Sequence, residues 1–96
     1  MTTRNELSRQ REEILAVARR HGVISVRVFG SVVRGEDTPA SDIDLLVSTG
    51  PTVSPWFPAG LARELEALLG HEVDIVTEKG LNPLLRDQVL AEAVEL

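Results

Sequence analysis

Two aspartates, Asp42 and Asp44, stand on either side of Ile43 at the start of an apolar segment. In an extended strand, residues two positions apart point to the same face, so both carboxylates would lie together while Ile43 faces a core. Two carboxylates held this close repel each other unless a cation lies between them, and Mg²⁺ binds carboxylate and phosphate oxygens. The pair is therefore a candidate metal site, although a solvated strand edge or a turn cap could use the same residues.

A third acid, Asp74, interrupts the apolar sequence Val-Asp-Ile-Val. A charged side chain within a buried strand needs a partner, because an unpaired buried charge is costly. If this strand lies beside the one that carries Asp44, the carboxylates share one face and could hold two cations roughly 3.5–4 Å apart, as two-metal phosphoryl chemistry requires. An ion pair between Asp74 and Arg27 is the competing interpretation.

A glycine and a serine, Gly30 and Ser31, follow a β-branched apolar segment and come just before a short stretch that could form a helical turn. Glycine lets the backbone approach a ligand closely, and N–H groups at the start of a helical turn favour an anion. Arg34 could reach a phosphate oxygen with its planar guanidinium. The alternatives are an ordinary Gly-Ser turn and a surface ion pair of Arg34 with Glu36 or Asp37.

Helices and strands alternate along the sequence around these residues. The periodicity predicts helices over 5–21, 59–69 and 83–92, a short helical turn over 32–35, and strands over 23–29, 43–47 and 72–77. This order predicts an α/β (α+β) fold, with a small mixed β-sheet of about three strands flanked by helices. Which strands run parallel cannot be decided from the sequence.

The composition indicates one small domain over residues 1–96, and no cysteine is present to form a disulfide or a thiolate metal site. The net charge of −5 argues against direct binding of nucleic acid, since neutralising phosphates supplies most non-specific affinity. No apolar run is long enough to span a bilayer and no signal peptide is recognisable, so a cytoplasmic location without membrane contact is expected. A domain this small is expected to complete any deep groove with a partner or a second copy.

Two apolar features admit more than one role. The loop over 54–58 holds the only tryptophan, Trp56, between prolines. Such a loop could contact a partner, but a core plug beneath the loop is favoured. The leucine-rich last helix, which includes Leu84 and Leu85, is also expected to pack in the core rather than at an interface.

Taken together, Gly30-Ser31, Arg34-Gly35 and Ser41-Asp42-Ile43-Asp44 before an apolar strand resemble the signature of the nucleotidyltransferase superfamily related to DNA polymerase beta. The signature lies within residues 29–47, and the joint pattern is far more specific than any of its parts. The short chain is similar to the minimal nucleotidyltransferases, which are often encoded beside a helical HEPN-type ribonuclease toxin and act as its antitoxin.

The resemblance implies a role for each motif residue. It implies triphosphate binding by Gly30, Ser31 and Arg34, and catalytic metal binding by Asp42, Asp44 and, with less motif support, Asp74. The implied reaction transfers AMP from ATP, with two Mg²⁺ ions, to a hydroxyl of a HEPN-type toxin, where the acceptor is a tyrosine in toxin-associated members. This chain has no tyrosine, which agrees with an acceptor on another molecule. Ser41 is expected to hold the loop by capping or hydrogen bonding.

Two other functions stay open on the sequence alone. The chain could neutralise its partner by covering it, with catalysis weak or absent. It could also transfer a nucleotide to a small molecule such as an aminoglycoside, although such enzymes usually carry an additional domain for the acceptor. Three carboxylates on one face favour an active enzyme, because binding alone does not require them.

Overall fold

Helices and strands alternate in the structure as the sequence predicts, with one additional strand at the end. A computed structural model of the chain describes residues 3–96. The elements are α1 (Thr3–Arg9), α2 (Arg11–Arg20), β1 (Val23–Phe29), α3 (Ser31–Arg34), β2 (Ile43–Thr49), α4 (Ala59–Leu69), β3 (Val73–Thr77), α5 (Pro83–Glu92) and β4 (Val94–Glu95).

The four strands form one mixed sheet in the order β3-β2-β1-β4. Strand β1 is antiparallel to both β2 and β4, whereas β2 and β3 are parallel. Parallel neighbours need a crossover connection, and α4 supplies it between β2 and β3. The predicted mixed sheet flanked by helices is confirmed. Strand β4 was not predicted, because a two-residue strand is too short to show an alternating pattern.

One face of the sheet packs against α1, α2 and α4. In β2, Ile43, Leu45 and Val47 alternate into this core, as a period of two requires. The helices contribute Leu7, Ile14, Ala18, Leu61 and Leu65, all at most 1% exposed. Leu46 points to the opposite face of the sheet and is also fully buried. Strand β2 is therefore the central element, buried on both sides.

The first predicted helix is two helices rather than one. Gln10 lies between α1 and α2 with φ −99° and ψ 14°, outside the helical region. Hydrogen bonds from Gln10 N to Glu6 O and from Ile14 N to Gln10 O still connect the two segments. The boundary is thus a local distortion, and it leaves Leu7 and Ile14 in the same core.

The prediction that the leucines of the last helix pack in the core is wrong. Helix α5 contains no buried residue, and Leu84 and Leu85 are 90% and 51% exposed. Only Leu81, just before the helix, is buried. Helical apolar spacing shows which side of a helix avoids water, but not whether the chain itself supplies a covering surface.

The prediction of a core plug at the proline-rich loop is also wrong for Trp56, whose side chain is 75% exposed. The neighbouring Phe57 packs against the core in its place. A 2.7 Å hydrogen bond between Ser54 Oγ and His21 Nδ1 holds the loop to the end of α2. Within residues 3–96, no helix is long and apolar enough to cross a bilayer.

We expect Leu61→Ala to destabilise the protein by about 2–5 kcal/mol, because it leaves a cavity between α4 and the sheet. Leu84→Ala makes the same chemical change on an exposed helix and should cost less than about 0.5 kcal/mol. Urea unfolding followed by circular dichroism gives both free energies. Equal losses for the two variants would contradict this account of the core.

Candidate functional site

The parallel pairing of β2 with β3 places Asp44 directly beside Asp74. The same register pairs Ile43 with Val73, and both of these side chains lie in the core. Because side chains alternate along a strand, the two aspartates leave the sheet on the opposite face. The two acidic strands are therefore adjacent, which is the condition that the sequence left open.

The Gly30 turn lies against the same carboxylate. Strand β1 ends at Phe29, which pairs with Asp44 across the antiparallel ladder, so the turn before α3 begins beside it. Gly30 has φ 80° and ψ −151°, a conformation that is essentially restricted to glycine. A Cβ at this position would collide with Oδ2 of Asp44. The structure thus joins the turn and the carboxylate in one packed unit.

Asp42 lies at the entry to β2, close enough for its charge to raise the pKa of Asp44. It directly precedes Ile43, the first residue of β2, and is exposed. Its carboxylate is in hydrogen-bonding reach of Glu72, and this contact raises the pKa of Glu72. Among residues 3–96, no group of three or more acidic or histidine side chains is arranged to hold a metal ion. The three predicted ligands are therefore near one another but are not preassembled.

The surroundings of the Asp44 carboxyl disfavour its ionised form. Burial raises the pKa of Asp44, and the neighbouring charges of Asp74 and Asp42 raise it further. The Arg34 guanidinium acts in the opposite direction, and Glu92 adds a smaller increase. Several oxygen donors that repel one another are the kind of ligand set that a divalent cation stabilises, so the residue types fit Mg²⁺.

Glu92 was not identified from the sequence, yet it contacts the predicted phosphate-binding residues. One oxygen, Oε1, accepts a hydrogen bond from Gly30 N at 2.8 Å and from Arg34 Nη1 at 2.7 Å. Arg34 also pairs with Glu36, through Nε at 3.3 Å. Glu92 lies in the last turn of α5, far along the chain, and no local pattern marks it. The Arg34 guanidinium and the Gly30 N–H thus converge on one carboxylate oxygen, and binding of a phosphate by Arg34 stays a prediction.

One competing interpretation and one further expectation can now be compared with the structure. Arg27 forms its ion pair with Glu78 rather than with Asp74, and Ser48 Oγ donates to the same Glu78 carboxylate at 3.0 Å. The proposed Arg27 pair with Asp74 is therefore wrong. Ser41 holds its loop as expected, because its Oγ accepts a hydrogen bond from the Thr38 N–H at 2.8 Å.

Comparisons with known proteins show which family this chain belongs to. The family described as Nucleotidyltransferase domain matches residues 10–96. A relative from Methanocaldococcus jannaschii, which carries the provisional name protein adenylyltransferase, is 41% identical over 92 residues and covers 96% of both chains.

Two solved structures share the fold. One is described provisionally as a minimal nucleotidyltransferase. It has a TM-score of 0.85 and 49% identity, and the match covers 100% of this chain and 97% of the solved chain. The other is described as a toxin-antitoxin with AMP-PNP. It has a TM-score of 0.73 and 26% identity, and the match covers 88% of this chain and 69% of the solved chain.

We expect Gly30→Ala to destabilise the protein by about 2–5 kcal/mol, since it adds backbone strain and a collision with Asp44. Gly35→Ala is the matched control, because Gly35 also has a positive φ, of 72°, but open space around it. This control should cost about 1–2 kcal/mol. Urea unfolding measures both, and an equal cost would show that the contact with Asp44 is unimportant.

Asp44→Asn keeps the shape of the side chain and removes a charge that the fold disfavours. Because the pKa of Asp44 is raised, the folded protein holds this proton more tightly than the unfolded chain. Stability is therefore lost as the pH rises from the ordinary value of 3.8 through the raised value. At pH 7 in EDTA, the variant should be more stable than the native protein by up to about 1 kcal/mol, a figure limited by solvent screening.

This gain should vanish below the ordinary pKa of aspartate, where the native carboxyl is protonated in both states. Thermal unfolding at several pH values measures it. Asp87→Asn removes an exposed acid from α5 and should change stability by less than about 0.5 kcal/mol. A loss of stability in Asp44→Asn at pH 7 would show that the carboxylate is a net stabilising group.

Proposed function

Because the chain belongs to the nucleotidyltransferase domain family, we propose that this enzyme transfers AMP from ATP to a partner protein. The partner is a HEPN-type toxin in the cytoplasm. The chain inactivates this toxin and so acts as its antitoxin. The relative named as a protein adenylyltransferase supports a protein acceptor. The toxin-antitoxin structure with AMP-PNP supports a toxin partner and an adenine triphosphate.

One observation carries the proposal: Asp44 lies beside Asp74 and against the Gly30 turn. A phosphate bound at the turn would be next to the two carboxylates on the same face of the sheet. Such an arrangement brings triphosphate binding and charge stabilisation to one point. A structural acidic pair would not need a glycine turn packed against it.

The nucleotide and the metal would use different atoms of this unit. Gly30, Ser31 and Arg34 supply N–H, hydroxyl and guanidinium donors for triphosphate oxygens. Asp42, Asp44 and Asp74 would hold two Mg²⁺ ions. The ions would neutralise charge on the leaving pyrophosphate and acidify the acceptor hydroxyl.

The reaction is a displacement at the α-phosphorus. The acceptor oxygen forms a bond to this phosphorus while the bond to the bridging oxygen of the β-phosphate breaks and pyrophosphate leaves. The hydroxyl proton passes to the Asp74 carboxylate and then to solvent. The protein contributes mainly by positioning the reactants and by stabilising charge.

We further propose a tyrosine of the toxin as the acceptor. The chain has no tyrosine, so an acceptor of this type must come from the partner. A phenolic oxygen approaching Asp74 would meet an exposed side chain at the free edge of the sheet, since β3 is the outer strand. A flat ring on a helical partner can reach such an edge without a deep groove.

Steric neutralisation is the second candidate function. The exposed side chains of Trp56, Leu84 and Leu85 favour it, since large exposed apolar groups can contact a partner. In this alternative, the complex forms and silences the toxin whether or not AMP is transferred.

We expect the purified chain with α-labelled ATP and Mg²⁺ to label a HEPN-type toxin. Asp44→Asn and Asp74→Asn should each reduce the initial rate at least about 100-fold, because each removes a group that stabilises transition-state charge. EDTA should abolish labelling. Glu13→Gln, an exposed change on α2, is the control and should retain the native rate.

A toxin in which the acceptor tyrosine is replaced by phenylalanine should remain unlabelled. The proposal fails if the Asp44→Asn, Asp74→Asn double variant neutralises the toxin as well as the native chain does. Full neutralisation without label, in a stable complex, would establish steric cover as the mechanism.

A further inference from the structure

Glu92 binds the two donors that the proposed nucleotide requires. Its Oε1 accepts the Gly30 N–H at 2.8 Å and Arg34 Nη1 at 2.7 Å. The Glu92 side chain is 17% exposed, while that of Arg34 is 45% exposed. The carboxylate of a mostly buried side chain therefore lies where the backbone turn and the guanidinium converge.

A carboxylate and a phosphate oxygen compete for the Gly30 N–H, whereas Arg34 has further N–H donors besides the one that Glu92 accepts. The Gly30 N–H is a single donor and points to Glu92 Oε1. A triphosphate placed on the same donors would also bring its negative charge against the Glu92 carboxylate. Binding of the nucleotide therefore requires Glu92 to leave, and the lost contacts subtract from the affinity.

The position of Glu92 in the chain allows it to leave without unpacking the core. It is the last residue of α5, a helix with no buried residue. The next residue, Ala93, is already extended, and the chain then joins the sheet as β4. A rotation of the side chain, or a small shift of the helix end, breaks the contact while β4 stays paired with β1.

We infer that Glu92 is a built-in competitor for the triphosphate. Its carboxylate occupies the Gly30 N–H and Nη1 of Arg34, and so lowers the affinity for nucleotide. This inference rests on the proposed function of those donors. It assigns Glu92 a role in nucleotide affinity and none in the chemical step. The fraction of molecules with Glu92 displaced limits the apparent affinity, as for any protein whose competent state is partly populated.

The opposite role for Glu92 predicts the opposite result. If Glu92 instead held the turn and the arginine in the geometry that receives phosphate, its removal would weaken nucleotide binding. Competition predicts tighter binding when the contact is lost. The sign of the change in affinity therefore distinguishes the two roles.

The test is calorimetric titration with α,β-methylene-ATP, which cannot undergo the transfer, in the presence of Mg²⁺. Glu92→Gln should bind about 3- to 10-fold more tightly than the native chain, because a neutral amide oxygen accepts these hydrogen bonds less strongly. Glu92→Ala should bind at least as tightly as Glu92→Gln. Glu92→Asp retains the charge but shortens the side chain, and it should also bind more tightly.

Asp87→Asn is the matched control, since it removes one negative charge from the same helix at an exposed position. Its affinity should stay within about twofold of the native value, because exposed charges are screened. An equal gain in Asp87→Asn would show a general charge effect and overturn the inference. Unchanged or weaker binding in the Glu92 variants, with native circular dichroism and thermal midpoint, would overturn it as well.

Failure of the proposed function gives a different pattern. If these donors do not bind nucleotide, neither the native chain nor any folded variant would bind the analogue, and the inference would fall with the proposed function. Binding by the native chain without a change in the Glu92 variants would reject the inference alone.

Discussion

The parallel pairing of β2 with β3 is the interaction on which the site depends. It sets Asp44 opposite Asp74, and the same register buries Ile43 against Val73 on the other face. A shift of one residue would turn the carboxylates into the core and the apolar side chains into water. The packing of the core therefore fixes the positions of Asp44 and Asp74. The two carboxylates stay aligned without any direct contact with each other.

The site holds several negative charges close together, and this lowers the stability of the fold. Burial and the charges of Asp74 and Asp42 raise the pKa of Asp44 in the absence of a cation. The nearby positive charge, that of Arg34, is shared with Glu36 and Glu92. Burying like charges together lowers the stability of the folded protein. A ligand that neutralises these charges restores that stability when it binds.

Local features of the sequence predicted the centre of the site, and long-range contacts decided its surroundings. Gly30 and Asp44 were identifiable because their motifs are short and their backbone requirements are local. Glu92 could not be found in this way, since its contacts join residues far apart in the chain. The exposure of Leu84 and Trp56 also escaped prediction, because apolar spacing does not reveal which surfaces the fold covers. Strand β2 begins at Ile43, as predicted, so Asp42 lies at the strand entry and is exposed.

The crossover through α4 has a consequence for synthesis of the chain. Asp44 leaves the ribosome about thirty residues before Asp74, an interval of about 2–6 seconds at ordinary rates of translation. During this interval β2 can pair with β1, but its second edge has no partner and Asp74 is not yet beside Asp44. The pair of acids is completed only when α4 has folded back and β3 has joined the sheet. A nascent or prematurely released chain therefore has the glycine turn without the acidic pair.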